Sequence, residues 1–157
     1  MMRKLLIVSS LSLLLIGCNS DNDDAVKPEP SITLDQASTI QLTVDSVDQD
    51  TLAISFSLAD DQGLPITDAG TSYEVFYLGF PGEYDSSFAV PWHQAKQVSC
   101  SADSEACDGE MVEVSQGVYL FTPSSLPEFI ESMETLKYAI TIHGALASNT
   151  TEIHTLP

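Results

Sequence analysis

The chain has 157 residues and carries 23 aspartates and glutamates against 5 lysines and arginines, a formal net charge of −18. So negative a surface repels nucleic acid and anionic lipid headgroups, which removes nucleic-acid binding from the functions to be weighed. The length allows a single domain with its own core.

The N-terminus opens on Arg3 and Lys4, and an apolar run follows from Leu5 to Ile16. A charged start, a short apolar stretch and small residues at the end are the build of a secretory signal peptide. Crossing a hydrocarbon core takes about 20 apolar residues, so this run is too short to be a membrane span. Leu15-Ile16-Gly17-Cys18 resembles the lipobox of bacterial lipoproteins, in which the cysteine becomes the acylated first residue of the mature chain. Residues 1–17 are therefore read as the signal peptide and Cys18 as the lipidation (palmitate) site. Cleavage there removes two of the five basic side chains and none of the acidic ones. Residue 19 is asparagine, whereas an aspartate there would resemble the inner-membrane retention signal of enteric bacteria. The expected location is the outer membrane, with the anchor as the membrane partner and the facing side left open.

Residues 18–37 are polar and acidic and include Pro28 and Pro30, the composition of a protease-sensitive tether that holds the domain off the membrane. The folded domain is expected over 38–157. From Thr39 the pattern takes a period of two. Ile40, Leu42 and Val44 alternate with polar residues, and Leu52, Ile54, Phe56 and Leu58 do so more clearly. Asp45 to Asp50 reads as a turn between these strands, and Asp60-Asp61-Gln62-Gly63 ends the second with glycine free to take positive φ. Tyr73 to Phe80 reads as a third strand covered on both faces, rich in aromatic and β-branched residues.

Residues 81–96 form a long connection that holds Tyr84, Trp92 and His93. A connection of that length is functional or pinned by its own side chains. Trp92 is read first as a cap on the core, and the three residues together as the candidate ligand loop. Gln97 to Ser99 reads as a short strand. Cys100 and Cys107 are the cysteines left after lipidation, and an exported chain with two free thiols is expected to join them. So small a ring stabilises by roughly 2–3 kcal/mol.

Glu110 to Val114 and Val118 to Thr122 read as a hairpin, with Gly117 at the left-handed position. Ser125, Pro127 and Glu128 resemble a helix start, and Phe129, Ile130 and Met133 share one helical face, so a short helix is expected to about Thr135. Leu136 to Gly144 returns to alternation, and Glu152 to Leu156 is a last strand or a tail. The expected fold is all-β: an immunoglobulin-like sandwich or split Greek-key barrel of six to eight strands with one short helix.

Several of these stretches occur in the same order in a known family. The strand pair "LTVDSVDQDTLAISFSLADDQGLPI", the loop ending "SFAVPWHQ", then "GVYLFTPSSLP" and "LKYAITIHG" resemble the N-terminal domain of OmcA/MtrC-type decahaem outer-membrane cytochromes. An Asp-x-x-Gly-x-Pro-[Val/Ile] turn is matched by Asp60, Gly63, Pro65 and Ile66. The family's mid-domain tryptophan is matched by Trp92, and its Gly-x-Tyr-x-[Phe/Tyr] strand by Gly117, Tyr119 and Phe121. The resemblance runs over about residues 38–146 and implies a lipid-anchored β domain, with a multihaem cytochrome as an implied partner. It does not imply electron transfer, because the sequence contains no C-x-x-C-H for covalent haem.

No nucleophile elbow or phosphate loop is present. His93, His143 and His154 are scattered singly, which disfavours zinc. Calcium is the one cofactor to consider, with Asp45, Asp48 and Asp50 in one turn and Asp60 and Asp61 in another. Asn149-Thr150-Thr151 matches a glycosylation acceptor, idle in a bacterial lipoprotein. The leading functional reading is a non-catalytic binding or accessory module of the envelope, associated with an outer-membrane electron-transfer complex. The alternative is an envelope hydrolase with its site in the 81–96 loop.

Overall fold

The computed structural model describes residues 30–82, 94–130 and 133–156. The signal peptide, Cys18, the tether up to residue 29, and Tyr84, Trp92 and His93 lie outside the described residues. Ten strands are described: β1 (Ile32–Thr33), β2 (Gln41–Val47), β3 (Ile54–Ala59), β4 (Ile66–Thr67), β5 (Tyr73–Phe80), β6 (Gln94–Cys100), β7 (Gly109–Ser115), β8 (Val118–Pro123), β9 (Thr135–Ile142) and β10 (His154–Thr155). They form two antiparallel four-stranded sheets, ordered β2-β3-β8-β7 and β10-β9-β5-β6, and a small parallel pair, β1 with β4. Neither sheet closes on itself, so the architecture is the sandwich and not the barrel.

The alternation read from the sequence is what fills the space between the sheets. On β3, Ile54, Phe56 and Leu58 point inward and are buried, while Ser55 and Ser57 face out. Tyr119 and Phe121 of β8 join them from the same sheet, and Tyr73, Val75, Tyr77, Ile140 and Ile142 come from the other. Phe56 stacks on Tyr119 with centroids 5.7 Å apart, and Tyr73 meets Phe121 edge-on at 5.4 Å. Side chains of this size carry most of the burial free energy, about 1.5–3 kcal/mol each.

Four expectations are corrected. β5 is not covered equally on both faces: Tyr73, Val75 and Tyr77 are buried, whereas Glu74, Phe76, Leu78 and Phe80 are only half-buried on the outer face. The folded body begins before residue 38. Ile32 and Thr33 pair in parallel with Ile66 and Thr67, and Leu34 and Ala37 are buried in the core. Among the described residues no α-helix follows Ser125. The chain makes one turn closed by Ile130 N–H to Pro127 O (3.2 Å), and β9 has begun by Thr135. The expected helical face is used differently: Phe129 and Met133 sit against Gly79 at the end of β5. The segment read as a short strand is the seven-residue β6.

Cys100 and Cys107 are disulfide-bonded, with Cα atoms 4.8 Å apart. The ring they close carries the chain from β6 of one sheet to β7 of the other. Gly63 and Gly117 both take positive φ, at 82° and 72°, as their turns require.

Candidate functional site

Three buried tyrosines fix how the sheets face each other. Tyr73 donates its hydroxyl to Gly109 O (2.7 Å), and Tyr77 donates to Leu52 O (2.8 Å). Tyr119 donates to Ile66 O (2.9 Å) and accepts from Ala69 N–H (3.3 Å). Leu52 is a non-glycine residue at positive φ (56°), and the bond from Tyr77 helps hold it there. Burial raises the pKa of all three hydroxyls, and of Tyr138, above the ordinary 10.0, most strongly for Tyr77 and Tyr119. The unfolded chain loses these protons near pH 10 while the folded one keeps them, so their contribution is complete below pH 10 and falls as pH rises through the higher folded values. We expect alkaline unfolding above pH 10 in which tyrosinate absorbance and the near-UV circular dichroism change in one step. Gradual tyrosinate formation with the dichroism intact would contradict it.

Two of the five acidic residues singled out as calcium candidates, Asp48 and Asp60, serve their own turns. Asp48 Oδ1 accepts from Thr51 N–H (2.7 Å), the Thr51 hydroxyl (2.7 Å) and Asp50 N–H (3.0 Å). These bonds, that from Thr51 N–H foremost, hold its pKa below 3.8. Asp60 Oδ1 accepts from Leu64 N–H (2.8 Å) and Gln62 N–H (2.9 Å), and Asp61 N–H donates to the Thr39 hydroxyl (3.0 Å). Asp45 lies at a bulge of β2, between Val44 and Ser46. Among the described residues no three histidine, cysteine or acidic side chains come together as metal ligands. The carboxylates of Asp48 and Asp60 thus brace their turns.

A concave feature of the described residues is a seam along one side of the sandwich, where the edge of β2 faces β10 and the segment before it. Three adjoining cavities run along it. The first, about 270 Å³, lies between Leu42, Val44, Asn149, Glu152 and His154. The second, about 540 Å³, shares Leu42, Val44, Glu152 and His154 and extends to Asp45 and Val47. The third, about 420 Å³, continues past Thr155 to Leu156, Glu134 and Gln49. Leu42, Val44, Val47 and Leu156 are partly buried against the core and form the apolar floor. His154 stacks on Tyr138 with centroids 5.3 Å apart.

One wall of the seam is sealed by a side chain. Asn149 is 7% exposed; its Oδ1 accepts from Ile142 N–H (2.6 Å), and its Nδ2 donates to Ile140 O (3.0 Å) and Thr150 O (3.1 Å). The amide thus stands where a neighbouring strand would pair with β9, and β10 takes over further along through His154 opposite Tyr138. Among the described residues the edge of β2 has no such cover, since β2 pairs there with β3 alone. Reading the sequence missed this role: Asn149-Thr150-Thr151 carries a glycosylation pattern, and no local signal distinguishes an asparagine that caps a sheet edge.

Among solved structures, the chain is similar to the outer membrane decaheme cytochrome OmcA, with a TM-score of 0.52 and 11% identity, over 80% of this chain and 24% of that one. MtrC from Shewanella baltica OS185 is similar at a TM-score of 0.49 and 16% identity, over 74% of this chain and 21% of that one. At 11% identity the likeness to OmcA is one of fold, and this chain spans about a quarter of the cytochrome's length. The resemblance read from strand and turn motifs is met at that level. No protein-family model and no curated protein matches the chain.

Proposed function

We propose that the protein is a lipid-anchored, non-catalytic module of the bacterial outer membrane that binds a partner in a multihaem electron-transfer assembly. The observation that carries this reading is a fold shared with part of OmcA in a sequence that itself has no C-x-x-C-H. The lipobox at Cys18 supports the anchor, and the asparagine at position 19 supports outer-membrane sorting. A binding role is further supported by the open seam beside β2.

Tagged full-length lipoprotein, purified from envelope extracts of its native host, is expected to bring haem-absorbing protein with it. In the same host Cys18→Ala is expected to abolish flotation with membranes, because stable anchoring depends on the acyl chains. A haem-free eluate from normally floating protein would overturn the partner. Flotation of Cys18→Ala with normal processed mass would overturn the anchor.

A further inference from the structure

We propose, building on the partner-binding reading above, that the seam receives an extended, lysine- or arginine-bearing segment of the partner protein, which adds as a strand to the edge of β2. Three features of the seam lead there. The first is the unequal treatment of its two walls. On the β9 side the edge is capped by Asn149 and β10, whereas among the described residues β2 ends its sheet unpaired on the side where Gln41–Val44 line the cleft. An unpaired edge of this kind is the template that strand addition uses.

The second is the floor. Leu42 and Val44 alternate with the exposed Gln41 and Thr43, so a strand laid beside them places every other side chain over an apolar surface. The bulge between Val44 and Ser46 breaks the register of β2. Pairing is therefore confined to Gln41–Val44, the stretch that lines the first cavity, and the visitor's following residues enter the second without a regular ladder.

The third is charge, and it selects the occupant. Asp45, Glu152 and Glu134 border the cavities, and among the described residues no lysine or arginine lines any of the three. Lys96 and Lys137, the cations among the described residues, are engaged elsewhere: Lys96 donates to Ser125 O (2.9 Å), and Lys137 lies over the Phe80 ring (4.9 Å). A second copy of so acidic a chain, or its own stretch around Asp21, Asp23 and Asp24, would bring like charge into the seam. A basic segment is matched to it.

The test uses full-length lipoprotein in detergent and a fluorescent peptide of about six residues alternating valine and lysine, the length of an ordinary strand. Counterparts carry glutamate for lysine, or a proline in the centre. The lysine peptide is expected to bind with an affinity that falls as salt rises, and both counterparts are expected to fail. Glu152→Gln and Asp45→Asn are each expected to weaken binding about threefold at low salt, with unchanged circular dichroism. Hydrogen exchange on the complex is expected to slow at Gln41–Val44 and to leave β7 unaffected, although β7 is also an edge strand and exposes Val112 and Val114. Equal binding of the glutamate peptide, protection at β7 instead, or protection of β2 that grows with protein concentration without peptide would each overturn the proposal, the last by making a second copy the occupant. Failure of the peptide while haem protein still co-purifies overturns the seam and leaves the partner reading standing. Peptide binding without co-purification does the reverse.

Discussion

Replacing Asn149 with alanine is expected to lower the stability of the fold by about 3 kcal/mol, more than most single substitutions outside a core. The side chain is small, but it bonds both Ile142 N–H and Ile140 O at the outer edge of β9. Alanine leaves both backbone groups without their side-chain partner at the wall of the seam. An orphaned buried donor or acceptor costs about 1–3 kcal/mol. Urea unfolding should show the midpoint falling with the slope unchanged. Aspartate separates the two bonds, because its carboxylate still accepts from Ile142 N–H but donates nothing to Ile140 O or Thr150 O. It also sets a carboxylate oxygen against those two carbonyls, so its loss should be at least as large as alanine's. A change below about 1 kcal/mol for alanine would mean that solvent replaces the amide and that the β9 edge is as open as that of β2.

The second large effect is expected at Gly117. A Cβ there would stand 2.8 Å from Pro65 Cβ and 3.0 Å from Leu58 O, and the residue holds φ at 72°. Gly117 O also accepts from Leu58 N–H (2.8 Å), and its N–H donates to Glu113 Oε1 (3.0 Å), so the hairpin tip cannot simply lift away. Strain at positive φ and overpacking each contribute about 1–3 kcal/mol, and Gly117→Ala should destabilise by about 3 kcal/mol in thermal or urea unfolding. Gly117→Asn tells the causes apart: asparagine tolerates the backbone angle, so recovery with asparagine would assign the loss to φ. Equal loss would assign it to the crowding against Pro65.

Gly117 also shows how far the sequence could be read. The hairpin and its left-handed glycine follow from local chemistry, and so do the inward sets Ile54, Phe56, Leu58 and Tyr119, Phe121, because strand periodicity and turn residues act over a few positions. The close approach of Pro65 to that glycine depends on two segments far apart in the chain and has no local signature. The same distinction explains the errors. Phe129, Ile130 and Met133 have helical spacing, yet Gly79 offers a gap into which Phe129 and Met133 fit without a helix. Leu34 and Ala37 sit in a stretch whose average composition is polar, and two well-placed apolar residues suffice to draw it into the core. Phe76, Leu78 and Phe80 made β5 look buried on both sides, although each remains half-exposed on the outer face. At the candidate site, Leu42 and Val44 were legible as strand residues. Their place in a seam was not, because it depends on which strand ends each sheet.

The short parallel pair of β1 and β4 would have a mechanical consequence if the domain is moored, as proposed, at its N-terminal end. Tension reaching the domain from that end meets β1 first. This strand is held by Ile32 N–H on Pro65 O (3.0 Å) and the Thr67 hydroxyl on Ile32 O (3.3 Å), whereas β2 and β3 share a ladder from Gln41 to Val47. The pair would yield before the sheets, unreeling Ile32 to Ala37 at roughly 3.3 Å per residue. Leu34 and Ala37 would leave the core as they went and return to it when the load ended. Under drag, β1 would thus act as a resettable fuse, lengthening the mooring while the sandwich behind it kept its shape.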